Sequence, residues 1–290
     1  MLTDGFGQSG IGTQRITTIP AGRMEEASRE PEYAIEIDNL VTHYGSRKIL
    51  NGINLKIRLG ETMVILGGSG CGKSTLIRHI IGLNRPSSGK ILIKGRDITQ
   101  LTEDDLNAMR TRMGMLFQGA ALFNSMTIAE NVALPLVEHT DLNESTIQIM
   151  VRMKLGQVGL SGFDDYMPSQ LSGGMKKRAG LARALAMDPE ILFFDEPSAG
   201  LDPIVSAALD ELIIKLKRAF KMTIVVVTHE MVSAFLIADR ITVLDKGVIV
   251  ALGTPEEIRN SEHPRVRQFL DRRPDELTHD SQEYLDILVR

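Results

Sequence analysis

The chain has 290 residues, of which 43% are apolar and 24% are charged, and its formal net charge at pH 7 is -4. This apolar content can fill a sizeable core, so disorder throughout is excluded, and the mildly acidic balance argues against binding of nucleic acid through broad positive charge. A single cysteine, Cys71, excludes an intrachain disulfide and a cysteine-rich zinc site, and no apolar run approaches the roughly 20 residues that a membrane-spanning helix needs.

Both ends of the chain are predicted to lie outside the main domain. Residues 1–32 are rich in glycine and polar side chains, which predicts a flexible leader, and they lack the charge and apolar pattern of a secretory signal. Residues 272–290 combine a polar tether with a terminal apolar cluster, which suggests docking on another surface. The length of the chain and the lack of internal repeats predict one large domain over residues 33–271.

Strand and helix patterns alternate along the predicted domain. Short or alternating apolar runs predict strands at residues 35–37, 49–57, 62–66, 91–93, 113–117, 191–195, 223–227, 241–244 and 248–251. Apolar spacing and capping residues predict helices over residues 74–83, after Thr102, after Gly174, over residues 203–217 and after Thr254. From about residue 126 to about residue 187 helical spacing replaces strand alternation, which indicates a helical lobe inserted into an α/β core.

A glycine-rich motif between a predicted strand and a predicted helix is the strongest chemical signal in the chain. It matches G-x-x-x-x-G-K-[ST] with Gly67, Gly68, Ser69, Gly70, Cys71, Gly72, Lys73 and Ser74. Glycines let backbone N–H groups surround phosphate oxygens, and the following helix directs its positive end at the same anion. Lys73 is expected to contact the β- and γ-phosphates and Ser74 to bind Mg²⁺, with Thr75 as a further nucleotide contact. We interpret Cys71 as a small side chain that fills space.

A pair of carboxylates ends an apolar strand later in the chain. Asp195 and Glu196 follow residues 191–194, and a strand end beside a phosphate-binding loop is suited to metal and base chemistry. We expect Asp195 to hold the Mg²⁺ shell. Glu196 is then placed to orient and deprotonate the attacking water, as a general base.

A second candidate anion site follows Leu171. Ser172, Gly173 and Gly174 offer a hydroxyl and two glycine amides at the N-terminus of a predicted helix. The chain has two phosphate sites of this kind but one P-loop. We therefore expect the second site to complete a nucleotide that another copy of the chain holds.

With these motifs in this order, residues 34–262 resemble the ATP-binding-cassette (ABC) ATPases. The resemblance implies an α/β fold of the P-loop NTPase class, with a RecA-like core, an antiparallel β subdomain and an inserted α-helical subdomain. It also implies a head-to-tail homodimer that closes on ATP and Mg²⁺ and reopens on hydrolysis. Four further residues match family motifs: Tyr44 as the aromatic that stacks on adenine, Gln118 as the residue that reads Mg²⁺ and the γ-phosphate and couples to the membrane partner, Asp202 as the residue that crosses the dimer, and His229 as the γ-phosphate switch.

One departure from the family points to a subfamily. Met175 stands where the family usually has glutamine, and residues 171–178 look like the ATPases of lipid transporters associated with mammalian-cell-entry (MCE) proteins, also called toluene-tolerance or Mla-type systems. Residues 115–118, 121–123, 131–132, 135–136 and 264–271 are similar to the same group. The likeness implies a phospholipid or other lipid cargo and a place on the cytoplasmic face of the inner membrane of a double-membraned bacterium. The implied partners are an integral-membrane permease, an MCE-type lipid-binding protein and, in some systems, a small STAS-like regulatory subunit, with no nucleic acid.

The main alternative is a soluble single-cassette ABC ATPase of the iron–sulfur assembly type. Translation members usually carry two cassettes and repair members carry long heptad arms, neither of which this sequence has, while Glu196 and His229 argue against a cassette that only binds ATP. Apolar residues near Gln118, at 120–123 and 132–137, would suit a permease helix and favour the transporter. A basic run is interpreted as a solvated helix face: Lys176, Lys177, Arg178 and Arg183.

Overall fold

The computed structural model describes Met1 and residues 32–273, so nearly all of the predicted leader and of the predicted docking tail lies outside the described residues. The strands are β1 (Tyr33–Tyr44), β2 (Arg47–Arg58), β3 (Thr62–Leu66), β4 (Ser88–Ile93), β5 (Arg96–Asp97), β6 (Met113–Leu116), β7 (Ile191–Asp195), β8 (Thr223–Thr228), β9 (Arg240–Asp245) and β10 (Val248–Gly253). The α-helices are α1 (Lys73–Ile80), α2 (Glu103–Arg110), α3 (Ile128–His139), α4 (Glu144–Gln157), α5 (Gly173–Ala184), α6 (Pro203–Phe220), α7 (Met231–Ile237), α8 (Pro255–Arg259) and α9 (Pro264–Leu270). This alternation confirms the predicted α/β fold.

The larger sheet is built around parallel strands. Its order is β10-β9-β3-β8-β7-β6, and only the pairing of β10 with β9 is antiparallel within it. β3 is buried along its whole length because its successive side chains enter two different hydrophobic clusters: Val64 and Leu66 in one, Met63 and Ile65 in the other. Ligands of open parallel sheets bind beyond the carboxyl ends of the strands. The loops after β3, β7 and β8 therefore define the edge where a site is expected.

A smaller antiparallel sheet has the order β2-β1-β4-β5. Ile35 of β1 pairs with Ile57 of β2, and both side chains are fully buried. They share a hydrophobic cluster with Leu76, Ile77 and Ile80 of α1. The smaller sheet thus covers the helix that follows the P-loop, in agreement with the antiparallel β subdomain implied by the resemblance.

A helical lobe lies between β6 and β7 in the chain. α3 begins with a capping box in which Thr127 accepts from the backbone of Glu130 and the Glu130 carboxylate accepts from the backbone of Thr127. On α4, Ile147, Val151 and Leu155 are buried. α3, α4 and α5 pack on the same hydrophobic cluster as one face of the larger sheet, so the lobe and the sheet share a core.

The structure departs from the predicted elements at helix ends and in short segments. α1 ends at Ile80 rather than at Leu83, whose side chain is 54% exposed and does not contribute to the core. The sequence patterns predicted neither β5, which has two residues, nor α7 and α9, which have seven residues each and are too short for a clear apolar period. Among residues 32–273, no helix combines the length and the hydropathy needed to cross a membrane.

Candidate functional site

The loop between β3 and α1 has a backbone conformation that favours glycine at two positions. Gly70 and Gly72 have φ values of 73° and 112°, in the left-handed region. A Cβ on Gly72 would lie 2.8 Å from Leu50 Cδ2, and one on Gly67 would lie 2.3 Å from the Leu244 carbonyl oxygen. The loop is therefore pressed against β2 and β9, and its glycines are required by close packing as well as by the phosphate chemistry expected of them.

Cys71 points into the protein from the same loop. Its side chain is buried, and burial raises the pKa of the thiol above its ordinary value. Its Sγ lies 2.7 Å from the position that a Cβ on Gly67 would take. These contacts agree with the interpretation of Cys71 as a side chain that fills space beneath the loop.

Lys73 begins α1 and places its ammonium inside the loop. Its Nζ donates to the carbonyl oxygens of Gly67 at 2.9 Å and Gly68 at 3.1 Å. It also lies 3.5 Å from Glu196 Oε1, and both side chains are almost fully buried. A buried cation at the N-terminus of a helix is a strong attractor for phosphate oxygens.

Ser74 and Asp195 meet next to Lys73, although they are far apart in the sequence. Ser74 Oγ donates to Asp195 Oδ1 at 3.3 Å. Burial is the main cause that raises the pKa of Asp195, while the hydrogen bond from Ser74 acts in the opposite direction. A hydroxyl and a partly buried carboxylate are hard oxygen donors of the kind that Mg²⁺ prefers, so this pair fits the metal that the sequence implies.

Glu196 is held in an unusual conformation beside His229. Its φ is 49°, which is strained for a non-glycine residue, and its backbone N–H donates to Val227 O at 2.9 Å. His229 Nδ1 lies 2.8 Å from Glu196 Oε2, and the His229 backbone N–H donates to the same oxygen at 3.3 Å. Because a carboxylate only accepts, this contact places the His229 proton on Nδ1. Strain of this kind is typical of residues whose position serves a function.

A cleft of about 970 Å³ joins these groups. Its walls carry part of the P-loop, Gln118, Glu196 and His229, and the C-terminal part of the described chain contributes Gln268, Phe269, Arg272 and Arg273. The Phe269 ring lies 3.4 Å from the position of a Cβ on Gly68. Sequence reasoning missed this wall, although Pro264 after His263 is a recognisable start for α9.

Other predicted site residues do not line this cleft. Ser172 caps α5 by accepting from the Met175 N–H at 3.3 Å, and Asp202 caps α6 by accepting from the backbone N–H groups of Ile204 and Val205. The described residues that line the cleft include none of those predicted to stack on adenine or to act across a dimer: Tyr44, Ser172, Gly173, Gly174 and Asp202. One chain therefore brings together the residues predicted to bind phosphate and metal and to act as the base, but not the residues of the predicted second anion site.

The interpretation of the basic run as a solvated helix face is wrong for two of its four residues. Lys177 is 5% exposed, and its Nζ donates to the backbone carbonyls of Gln118 and, at 3.2 Å, Glu196. Arg183 donates to the carbonyls of Ala121 at 2.8 Å and Ala120 at 3.1 Å. Burial lowers the pKa of both cations. Their helix, α5, is packed against the loop that carries Gln118, so the side chains on this face reach carbonyls instead of water.

Tyr44 lies at the end of β1, on the outer side of a polar network. Its hydroxyl accepts from Asn84 Nδ2 at 3.0 Å, and the Asn84 carbonyl accepts from His79 Nδ1 at 2.9 Å. His79 Nε2 then accepts from the Thr42 hydroxyl at 2.8 Å. Burial lowers the pKa of His79 from 6.5 and so favours the neutral imidazole, to which this pattern of one donated and one accepted hydrogen bond is suited.

We expect the His79 network to make the fold sensitive to acid. The unfolded chain binds a proton on His79 near the ordinary pKa of 6.5, whereas the folded chain resists it, so stability is full above that pH and falls as the pH drops below it. Urea unfolding of the wild type and of His79→Gln between about pH 7.5 and about pH 5 measures the effect. The variant should have the shallower decline; equal pH slopes for the two proteins would contradict this assignment.

A family model, curated relatives and a solved structure match this chain. A family model described as "ABC transporter" matches residues 50–199. The probable ribonucleotide transport ATP-binding protein mkl of Mycobacterium leprae is 45% identical over 240 residues, covering 83% of this chain and 69% of that protein. The intermembrane phospholipid transport system ATP-binding protein MlaF of Haemophilus influenzae is 44% identical over 236 residues, covering 81% and 89%. The dimeric post-hydrolysis structure of the cassette MJ0796 with ADP and Pi superposes with a TM-score of 0.71 at 31% identity, covering 76% of this chain and 98% of that one.

Proposed function

The chain belongs to the ABC transporter family of ATP-hydrolysing proteins, and we propose that it is the ATPase subunit of a transporter that moves phospholipid between bacterial membranes. The observation that carries the proposal is the convergence of Lys73, Ser74, Asp195, Glu196 and His229 beside one P-loop. Phosphate-binding, metal-binding and base groups within contact distance of each other are what phosphoryl transfer requires.

Hydrolysis is assigned to Glu196 with His229 as its neighbour. The ATP phosphates would lie along the P-loop amides and compete with Glu196 for the ammonium of Lys73, which is 3.5 Å from Glu196 Oε1. Release from Lys73 would leave that oxygen able to accept a proton from the attacking water. His229 Nδ1 would keep the second carboxylate oxygen oriented.

Magnesium is proposed to bind at Ser74 and Asp195, with Gln118 as the third protein group. The Ser74 hydroxyl already contacts the Asp195 carboxylate, and Gln118 lines the same cleft. Bound there, Mg²⁺ would neutralise charge on the transferring phosphate. The side chains of this chain would hold it through oxygen atoms, and a bound cation would offset the burial that raises the pKa of Asp195.

We propose that a second copy of the chain completes each nucleotide site. Ser172, Gly173 and Gly174 present a helix N-terminus outside the cleft that holds the P-loop, so a partner chain would supply this group to the γ-phosphate. Asp202 would lie at the same interface and Tyr44 would stack on adenine. The dimer of the MJ0796 cassette supports this arrangement.

The proposed cargo and membrane partners are based on the relatives named above. MlaF proteins are named for intermembrane phospholipid transport and mkl for ribonucleotide transport; the chain spans 89% of the first and 69% of the second. The fuller coverage and the MCE-type motifs at residues 171–178 favour phospholipid. The expected assembly contains a permease, an MCE-type lipid-binding protein and a small STAS-like regulatory subunit at the cytoplasmic face of the inner membrane.

A groove between the sheet and the helical lobe is the proposed contact with the permease. It has a volume of about 560 Å³, and its apolar lining includes Met115, Phe117, Phe123, Leu134 and Pro135. Phe123 is 51% exposed, whereas Val132 and Leu136 of the predicted apolar stretch are buried in the core. An amphipathic helix from a membrane protein would cover these exposed side chains.

Purification of the tagged full-length chain from detergent-solubilised membranes tests the transporter assignment. We expect an integral-membrane protein and phospholipid to co-purify, and Phe123→Asp to lose both because it places a charge in the groove. Leu83→Asp, an exposed site outside the groove residues, is the matched control. Recovery with soluble scaffold proteins alone would favour an iron–sulfur assembly ATPase instead.

A further inference from the structure

Lys177 is a buried cation that the mechanism above does not use. It lies on α5, and the two partners that the structure gives its ammonium among residues 32–273 are carbonyl oxygens of Gln118 and Glu196. These carbonyls belong to different loops, one after β6 and one after β7. The Lys177 ammonium therefore links two loops: the Gln118 loop, which is proposed to contact Mg²⁺ and the permease, and the loop that carries Glu196, the proposed base.

Both loops lie beyond strand ends and adopt unusual backbone conformations, although the Glu196 N–H donates to Val227 O at 2.9 Å and the Glu196 carbonyl also accepts from the Ala199 N–H at 3.2 Å. Ala120 and Ala121, which follow Gln118, have φ values of 60° and 50°, and Glu196 has 49°. Strained residues of this kind keep their conformation only when surrounding contacts determine it. Removing the ammonium would deprive both carbonyls of a charged donor, and the Glu196 carbonyl would keep the weaker neutral bond from the Ala199 N–H.

α5 also makes hydrogen bonds and close contacts with the residues that follow Gln118. Arg183 donates to the carbonyls of Ala120 and Ala121, and the guanidinium of Arg183 lies 5.9 Å from the centre of the Phe123 ring. A Cβ on Gly180 would be only 3.0 Å from the Ala120 carbonyl oxygen, so the helix and the loop are in close contact. Lys177 therefore connects α5 and the Gln118 loop, which are in close contact, to Glu196, the proposed base.

We propose that Lys177 is a positioning residue that fixes the backbone of Glu196 relative to the backbone of Gln118, so that a displacement of the Gln118 loop is transmitted to the base. The inference rests on the proposed function, in which Glu196 deprotonates water. Lys177 acts through backbone atoms and touches no reacting atom. Loss of its ammonium should therefore slow turnover while the P-loop keeps its grip on ATP.

Steady-state ATP hydrolysis by the purified full-length chain tests this inference. Lys177→Met keeps the aliphatic stem without the donor, and we expect kcat to fall by about tenfold to a hundredfold, since small displacements of reacting groups have effects of this size. KM for ATP should stay within about twofold, because Lys73 and the P-loop are unchanged. Lys177→Arg, which can still donate to both carbonyls, should return kcat to within about threefold of wild type.

Lys154→Met is the matched control, because Lys154 is also 5% exposed but pairs with Asp188, away from both loops. It should lose stability and keep kcat. Should Lys177→Met fail to fold, Lys177→Gln takes its place, with a smaller loss of kcat expected from its shorter donor. Equal kcat for the Lys177 and Lys154 variants, or a loss confined to KM, would overturn the inference. Normal hydrolysis by Glu196→Gln would instead remove the proposed function itself.

Discussion

Glu196→Gln should bind ATP normally and hydrolyse it about 10² to 10⁴ times more slowly than the wild type, because a general base contributes about that factor. The amide has the same shape as the carboxylate. Its side-chain oxygen can still accept from His229, and its backbone carbonyl can still accept from Lys177, but it cannot take a proton from water. Since reopening of the dimer is coupled to hydrolysis in the proposed cycle, the variant should accumulate as a closed dimer in the presence of ATP.

Size-exclusion chromatography with light scattering, run with and without ATP, measures this accumulation. A matched control is Glu211→Gln on α6, whose carboxylate is 69% exposed and pairs with Lys215 across one helical turn. This control should hydrolyse ATP at the wild-type rate. A Glu196→Gln chain that remains monomeric with ATP, or that turns over at the normal rate, would remove Glu196 from the role of base.

Lys73→Ala should bind ATP far more weakly than the wild type. Its ammonium is buried in the P-loop, within 2.9 Å of Gly67 O, and provides a full charge at the expected position of the phosphates. A hydrogen bond to a charged group contributes about 1.5–3 kcal/mol. Losing one of them corresponds to an affinity decrease of about tenfold to about 160-fold.

Titration with a fluorescent ATP analogue measures the affinity of Lys73→Ala, and thermal unfolding checks that the variant is folded. Lys215→Ala serves as the matched control, because the Lys215 side chain is 75% exposed on α6. Its affinity should equal that of the wild type. Undiminished ATP binding by folded Lys73→Ala would show that phosphate is not held where the P-loop predicts.

Continuous apolar runs predicted the buried strands well, because a strand covered on both faces leaves little ambiguity about its ends. The predicted strands at residues 62–66 and 191–195 have the bounds of β3 and β7. The P-loop was predictable for a similar reason, since its chemistry lies in consecutive residues. The fold class followed from the alternation of elements, and the matching family model agrees with it.

The missed features depend on contacts between distant residues. Ser74 and Asp195 were both predicted as Mg²⁺ groups, but the direct contact between these side chains, 121 residues apart, depends on β3, β8 and β7 being neighbours in the sheet, an order that the sequence does not specify. Lys177 has the sequence environment of a solvated lysine, and only the packing of α5 on two loops makes it buried.

α7 and β5 were missed because elements of two to seven residues carry too little periodicity.

The proposed ATP hydrolysis requires a nucleotide site that two chains share, and the turnover of ATP by separated chains tests this requirement most directly. The ATPase rate per chain should be measured along a dilution series, together with the mass of the protein by sedimentation at each concentration. We predict that the rate per chain falls towards zero as dimers dissociate, because the chain that holds the phosphates loses Ser172 and Gly173 of its partner. A monomer that keeps the full rate of ATP turnover would contradict the shared site.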